Sequence, residues 1–302
     1  MQTFEFTSLC GMPLQAYRWE PEGKPLAVVQ ILHGVAEYAL RYDAFAKFLT
    51  AQGFLVVAHD HMGHGSSGGT ALHFPEGWAP VREDCYGVYT RLRREFPDLP
   101  YILFGHSMGS FLLRALLYTH PDMALSAAVV CGTAWQPLPI LLGGRAICKL
   151  EKLRLGAEKH SKLMNRLMFG AYNSKFKDAK TPNDWLSSTP SRVQEYTDDP
   201  LCGGSITLGL TEGLLSGLAQ NQKKANLRKM PKSLPLLLIA GQDDPVGAMG
   251  KGIYACEKHF RKAGMQQVSV RLCRGRHEIL LEAHCREVYE ILLEFMKNSI
   301  IL

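Results

Sequence analysis

Residues 101–120, YILFGHSMGSFLLRALLYTH, constrain what this chain can fold into more than any other stretch. Tyr101, Ile102, Leu103 and Phe104 form a short apolar run of the kind found in strands buried on both faces. Phe111, Leu112, Ala115, Leu116 and Leu117 then recur at helical spacing. A strand that becomes a helix within a few residues must turn sharply. Gly105 and Gly109, two before and two after Ser107, remove side chains that would obstruct such a turn. The spacing predicts a nucleophile elbow, with Ser107 at its tip and the free N–H groups of a helix N-terminus beside it. A solvated glycine-serine loop would also satisfy the five-letter pattern, but the flanking strand and helix argue against it.

The rest of the chain alternates around this stretch. Phe4 and Phe6, then Leu14, Ala16 and Tyr17 after the break at Gly11-Met12-Pro13, predict two edge strands. Leu26–Leu32 and Phe54–Ala58 read as buried strands, with a helix at 42–52 between them and a stop at Gly53. A helix at 81–96 precedes the elbow strand, and Leu125–Val130 follows the elbow helix as a further strand. From 134 to 232 the rhythm breaks into proline-bounded, basic, amphipathic helical pieces without a clear strand. It resumes with a strand at 234–240, a helix at 248–263, a strand at 267–272 and a closing helix at 277–297. This order predicts an α/β fold with a mainly parallel sheet covered on both faces and reactive loops at the carboxyl ends of the strands. The catalytic core would comprise residues 1–133 and 233–302, and residues 134–232 an inserted helical cap.

Composition narrows the class. Of the 302 residues, 46% are hydrophobic and 21% charged, an ordinary globular balance with no low-complexity block. No run reaches the length needed to span a bilayer, and the first ten residues lack a signal pattern, so the expected location is cytoplasmic. Eight scattered cysteines without a C-x-x-C pair predict free, mostly buried thiols. The net charge of +6 is concentrated in 134–232, which carries 16 Lys and Arg against 8 Asp and Glu. That basic segment suits anionic surfaces or acidic lipid products as well as it suits a solvated helical face. No nucleic-acid-binding motif accompanies it.

A serine hydroxyl becomes nucleophilic when an imidazole takes its proton, and the imidazole needs a carboxylate to fix its tautomer. The carboxylate is expected after a late strand, where Asp243 and Asp244 stand in GQDDP. The imidazole is expected after the last strand, where His277 stands in GRHE. His259 and His284 fall within predicted helices, and His120 and His160 follow no strand. The backbone N–H of Met108, directly after the serine, and that of Val35, beyond His33-Gly34, would form an oxyanion hole. His59, Asp60, His61 and His64 could in principle ligate a metal, although a glycine-rich loop leaving a strand explains them structurally.

The segments HGVAEYALRY, DHMGHGSS, GHSMG, GQDDP and GRHE, in this order, resemble the monoacylglycerol lipase and lysophospholipase group of α/β-hydrolases. Trp185-Leu186-Ser187 and DPLCGG at 199–204 are similar to the cap of bacterial members. The resemblance covers almost the whole chain and implies the α/β-hydrolase fold, an eight-stranded sheet with an inserted cap. It implies Ser107 as nucleophile, Asp244 as acid, His277 as base and Val35 with Met108 as oxyanion donors. It implies no cofactor. Asp60, Gly63, His64 and Gly65 match the group's D-x-x-G-H-G loop, taken as structural support. The chain departs from the group at Tyr38, where histidine is usual, and at Ser110, where glycine is common. The expected activity is hydrolysis of monoacylglycerols or lysophospholipids, with Leu138, Ile140, Leu141, Leu142, Leu214, Leu215 and Leu218 lining an acyl tunnel. A short-chain esterase, an amidase and a hydrolase-fold binding protein are the alternatives. The small-molecule ester would be the main partner, with peripheral membrane contact through the cap.

Overall fold

The computed structural model describes residues 1–300. An antiparallel pair, β1 (Gln2–Thr7) and β2 (Pro13–Trp19), opens the chain. It is followed by β3 (Ala27–Leu32), α1 (Asp43–Thr50), β4 (Phe54–His59), α2 (Trp78–Glu95), β5 (Tyr101–His106), α3 (Met108–Thr119) and β6 (Ala127–Cys131). Between β6 and β7 (Leu236–Gly241) lie α4 (Leu138–Leu155), α5 (Lys162–Phe169), α6 (Pro190–Asp198), α7 (Leu208–Asn221) and α8 (Lys224–Leu227), with no strand among them. The chain ends in α9 (Lys251–Lys262), β8 (Val268–Cys273) and α10 (Cys285–Ile300).

The eight strands form one sheet in the order β1-β2-β4-β3-β5-β6-β7-β8, parallel from β4 onward. Its central strands β3 to β7 are buried at every residue, which explains their continuous apolar sequences. One face packs on α2, α3 and α9 through residues such as Cys85, Val88, Leu112, Leu116 and Phe260, with Leu214 and Leu218 of α7 joining that core. The opposite face packs on α1 and α10 through Phe45, Leu49, Leu292 and Met296. Each such side chain contributes about 1.5–3 kcal/mol when fully buried. The edge strand β8 is exposed at Ser269, Arg271 and Leu272, and the charge at Arg271 discourages further strand pairing there.

Two helices begin later than their sequence patterns predict, for tertiary reasons. Ala248, Met249 and Gly250 take positive φ values of 51°, 56° and 82°, so the helix predicted from 248 starts only at Lys251. Residues 277–284 form a loop because their polar groups are engaged elsewhere: the Glu278 N–H donates to Leu186 O and His284 Nε2 pairs with Arg274 O. His284 therefore stands just before α10, outside the helix, whereas His259 is within α9 and stacks on Trp135. All eight cysteines are free thiols, six of them buried.

The glycines of the elbow act by close approach. A Cβ on Gly109 would run into the Leu32 carbonyl oxygen of β3, and one on Gly105 would run into the Gly109 carbonyl. Gly87, midway along α2, has nothing within 4 Å of its hypothetical Cβ. Gly109→Ala is expected to lower unfolding free energy by more than about 3 kcal/mol through backbone displacement. Gly87→Ala is expected to raise it by about 0.5–1 kcal/mol through helix propensity. Urea midpoints of the two variants, measured side by side, check both signs.

Candidate active site

The left-handed backbone at the elbow falls on the serine itself. Ser107 has φ 51° and ψ −118°, a costly conformation for a residue with a side chain. It is held by its N–H, which donates to Cys131 O at 3.0 Å, and by Ser110, whose hydroxyl donates to Ser107 O at 2.6 Å. The departure at Ser110 thus adds a donor to a carbonyl that already accepts from the N–H groups of Ser110 and Phe111.

The loop after β3 lies beside the elbow because β3 and β5 pair in parallel with Leu32 opposite Gly105. A Cβ on Gly34 would come 3.1 Å from Ser107 Cβ, so glycine is what lets this backbone approach the serine. Among the described residues, neither the Val35 nor the Met108 N–H has a hydrogen-bond partner. Ala36 also has positive φ, 55°, and its carbonyl accepts from Tyr196 Oη and Gly203 N, each at 3.0 Å. The Gly34 N–H donates to Glu37 Oε1 at 2.5 Å. Tyr38, the other departure, donates its hydroxyl to Asp199 Oδ2 at 2.8 Å, and so ties this loop to the segment after α6.

At the far end of the sheet, β7 and β8 pair with Gly241 opposite Cys273. Asp244 and His277 leave these adjacent strand ends and meet, with His277 Nδ1 3.0 Å from Asp244 Oδ1. A carboxylate only accepts, so Nδ1 carries the proton and Nε2 is left with a lone pair. Asp244 Oδ1 also accepts from Val246 N at 2.9 Å, and the whole residue is fully buried. Asp243 is exposed and takes no part. Ser107 and His277 line the same cavity, and among the described residues the serine hydroxyl donates to no partner. Such hydrogen bonds commonly tighten only when substrate is bound.

Behind these residues lies a buried polar network that sequence patterns did not reveal. Arg41 donates to both carboxylate oxygens of Glu278, at 2.5 and 2.9 Å, and to Glu37 at 2.8 Å. Tyr42 donates to Glu37 Oε1 at 2.9 Å and lies 2.8 Å from His106 Nδ1. His106 Nε2 in turn meets the His277 carbonyl at 3.2 Å. Burial opposes a charge on His106, but Glu37 outweighs it and raises the imidazole above its ordinary value. Burial likewise opposes ionisation of Glu37, yet His106 and Arg41 hold its carboxyl below the usual range. The available signals were the i, i+4 spacing of Glu37 and Arg41 and a histidine inside the elbow motif, neither specific enough alone.

The histidine-rich loop separates into two parts. Asp60 accepts from Ala39 N, Ser66 N and Tyr17 Oη, at 2.8, 2.9 and 3.0 Å, and so anchors the turn that follows Val35. His59 Nε2 and His61 Nδ1 lie 3.3 Å apart, with Cys85 Sγ about 4 Å from both. This cluster is fully buried, and desolvation keeps both imidazoles neutral, pushing His59 down to about 3. His64 lies apart from it, with Nδ1 on the Met62 carbonyl.

Two cavities, one mixed and one mainly apolar, meet at Ser107, Val35, Phe169 and Trp185. One, of about 290 Å³, carries the polar groups of Glu37, Asn165, Asn183, Tyr196 and Glu278 between apolar walls such as Leu186 and Ile206. The other, of about 410 Å³, is lined by Phe111, Ile140, Leu141, Leu214, Leu215 and Leu218 among other apolar residues. Leu138 and Leu142, expected in the tunnel, instead face solvent with 54% and 51% exposure. On α4 they flank the narrow stripe that buries Leu141 and Cys148, and so fall outside it.

Comparison with known proteins follows the same lines. Residues 23–284 match the family Hydrolase_4, serine aminopeptidase, S33. The chain is 28% identical over 272 residues to the monoglyceride lipase of Mus musculus, covering 89% of this chain and 81% of that one. It is 31% identical over 245 residues to the monoacylglycerol lipase of Mycolicibacterium smegmatis, covering 79% and 78%. The solved structure of a thermostable carboxyl esterase from Bacillus coagulans in complex with glycerol superposes with a TM-score of 0.91 at 29% identity, covering 99% and 98% of the two chains. The chain therefore belongs to the Hydrolase_4 family of α/β-hydrolases, in company with the monoglyceride lipases, and is a hydrolase.

Proposed function

We propose that this protein is a serine ester hydrolase that cleaves monoacylglycerols through an acyl-enzyme. The reading rests chiefly on the meeting at Ser107 of an apolar cavity and a mixed one that carries polar groups. An acyl chain would occupy the apolar side and the alcohol the polar side, with the ester bond held at the serine. Among the described residues no lysine or arginine lines the mixed cavity, and Arg41 behind it is spent on Glu37 and Glu278. A neutral glycerol is accommodated there better than a phosphodiester, which favours monoacylglycerols over lysophospholipids.

In the first step Ser107 Oγ bonds to the ester carbonyl carbon and its proton passes to His277 Nε2. The carbonyl oxygen becomes an oxyanion held by the Val35 and Met108 N–H groups, each contributing about 3–4 kcal/mol to the transition state. Asp244 steadies the imidazolium. As the carbon–oxygen bond breaks, His277 returns the proton to the departing alcohol. Water then attacks the acyl-serine with His277 as base, releasing the fatty acid and restoring Ser107.

The cap also supports peripheral contact with anionic membranes. Leu150, Leu153, Leu163 and Leu167 on α4 and α5 are exposed, with Lys149, Lys162 and Arg166 exposed among them. Leu167 and Ile140 also line the apolar cavity, so this surface borders the acyl site. Among the described residues no helix is long and apolar enough to cross a membrane.

Three outcomes are expected. Ser107→Ala should lower kcat for a p-nitrophenyl ester by about 10⁴-fold or more and abolish fluorophosphonate labelling; turnover equal to wild type would sink the assignment. Activity should rise from acetyl towards longer acyl esters, since each buried methylene contributes about 0.8 kcal/mol, and monoacylglycerol should be turned over faster than lysophosphatidylcholine of equal chain length. A flat chain-length profile, or preference for aminoacyl anilides, would contradict this. Sedimentation with phosphatidylglycerol vesicles should exceed that with phosphatidylcholine, weaken in high salt, and fall when Leu150 and Leu153 are both changed to Glu.

A further inference from the structure

Glu282, in the loop between His277 and α10, is fully buried. Its carboxylate accepts five hydrogen bonds: from Ser187 Oγ at 2.6 Å, Ser188 N at 2.8 Å, Ser188 Oγ at 3.0 Å, Thr189 Oγ1 at 2.9 Å and Arg276 N at 3.0 Å. Four of these donors belong to the segment entering α6, and the fifth is the residue immediately before His277. Among the described residues no cation lies within salt-bridge distance of this carboxylate.

A carboxylate removed from water is costly unless hydrogen-bonded, and apolar side chains of similar size stabilise an interior at least as well. Burial works against its charge, yet the hydroxyl and N–H donors prevail and hold its carboxyl below the ordinary range. What this arrangement provides is a shared reference point for two segments distant in sequence. The surrounding contacts have the same sense. Arg276 donates to the carbonyls of Asp184 and Ser187 at 2.6 and 3.3 Å, and Glu278 N donates to Leu186 O at 2.8 Å. The Trp185 ring lies 5.1 Å from that of His277. Gly275, at φ 120°, leaves only 3.0 Å between its hypothetical Cβ and Glu282, so the loop passes close against the carboxylate.

We propose that Glu282 is a positioning residue for His277, and that residues 184–189, through it, form a fixed part of the mounting of the base. The inference rests on His277 acting as the general base. It divides the inserted helical region into two functional parts. The α4–α5 side is tied mainly to α7, whereas the 184–189 segment is tied to the loop that carries His277. A loosened loop lets the imidazole drift from Asp244 and from the serine, and displacements on the order of 1 Å cost about 100-fold in rate.

The test compares Glu282→Gln with wild type and Ser107→Ala, using a soluble p-nitrophenyl ester and fluorophosphonate labelling. Glu282→Gln keeps the volume but turns an NH₂ towards the donors. The expected result is a fall in kcat of at least about 50-fold, KM within about threefold, a parallel fall in labelling rate, and a displaced acid limb of the pH–rate profile. Should Glu282→Gln fail to fold, Ser187→Ala combined with Thr189→Val removes cap donors and leaves the carboxylate; it is expected to lower kcat by about 5-fold or more with the same KM. A folded variant with kcat within twofold of wild type, or one altered only in KM, overturns the proposal. Wild-type turnover no greater than that of Ser107→Ala would instead overturn the assignment of the triad, a separately readable failure.

Discussion

Two parallel strand pairings, β3 with β5 and β7 with β8, carry the rest of this structure. In the first, Leu32 stands opposite Gly105, so the backbone of Val35 and the elbow at Ser107 emerge side by side. In the second, Gly241 stands opposite Cys273, and Asp244 and His277 leave neighbouring strand ends within reach of one another. Side chains alternate with a period of two along a strand. A slip of one residue in either pairing would therefore move side chains fitted to one packed layer into the other, as well as separating the polar ones. The same apolar burial that selects the register also assembles the site.

Backbone strain at that site falls on two short turns. Ser107 and Ala36 both carry positive φ, and each is held by hydrogen bonds from outside its own segment. Asp244 and Glu282, both fully buried carboxylates, are held differently: Asp244 through Oδ1 alone, by an imidazole and a backbone N–H, and Glu282 through both oxygens by five neutral donors. Charge inside the protein is retained where it fixes geometry, and the apolar cavity beside it is left for substrate.

The eight strands were legible because five of them are buried at every position, and because glycines punctuate their ends. The elbow was legible because one stretch combines both periodicities. Asp244 could be told from Asp243 only by resemblance; in space the difference is plain, since one is buried on His277 and the other faces solvent. The loop at 277–284 reads as helix because Ile279, Leu280 and Val288 continue an apolar pattern, and tertiary hydrogen bonds override it. Arg41, Tyr42, His106 and Glu282 were not legible as a group. Their partners lie up to 237 residues away, and no local pattern encodes such meetings. Leu138 and Leu142 show the reverse error, in which apolar residues on an amphipathic helix face water and not the tunnel.

In the proposed mechanism Ser107, His277 and Asp244 act as one relay that transfers an acyl group to the serine. Mass spectrometry of protein quenched in acid during turnover of a p-nitrophenyl ester tests it most directly. The expected result is an acyl adduct located on Ser107, which fails to form in His277→Ala. Turnover with no adduct on that residue, or an adduct that forms at the same rate without His277, would contradict it.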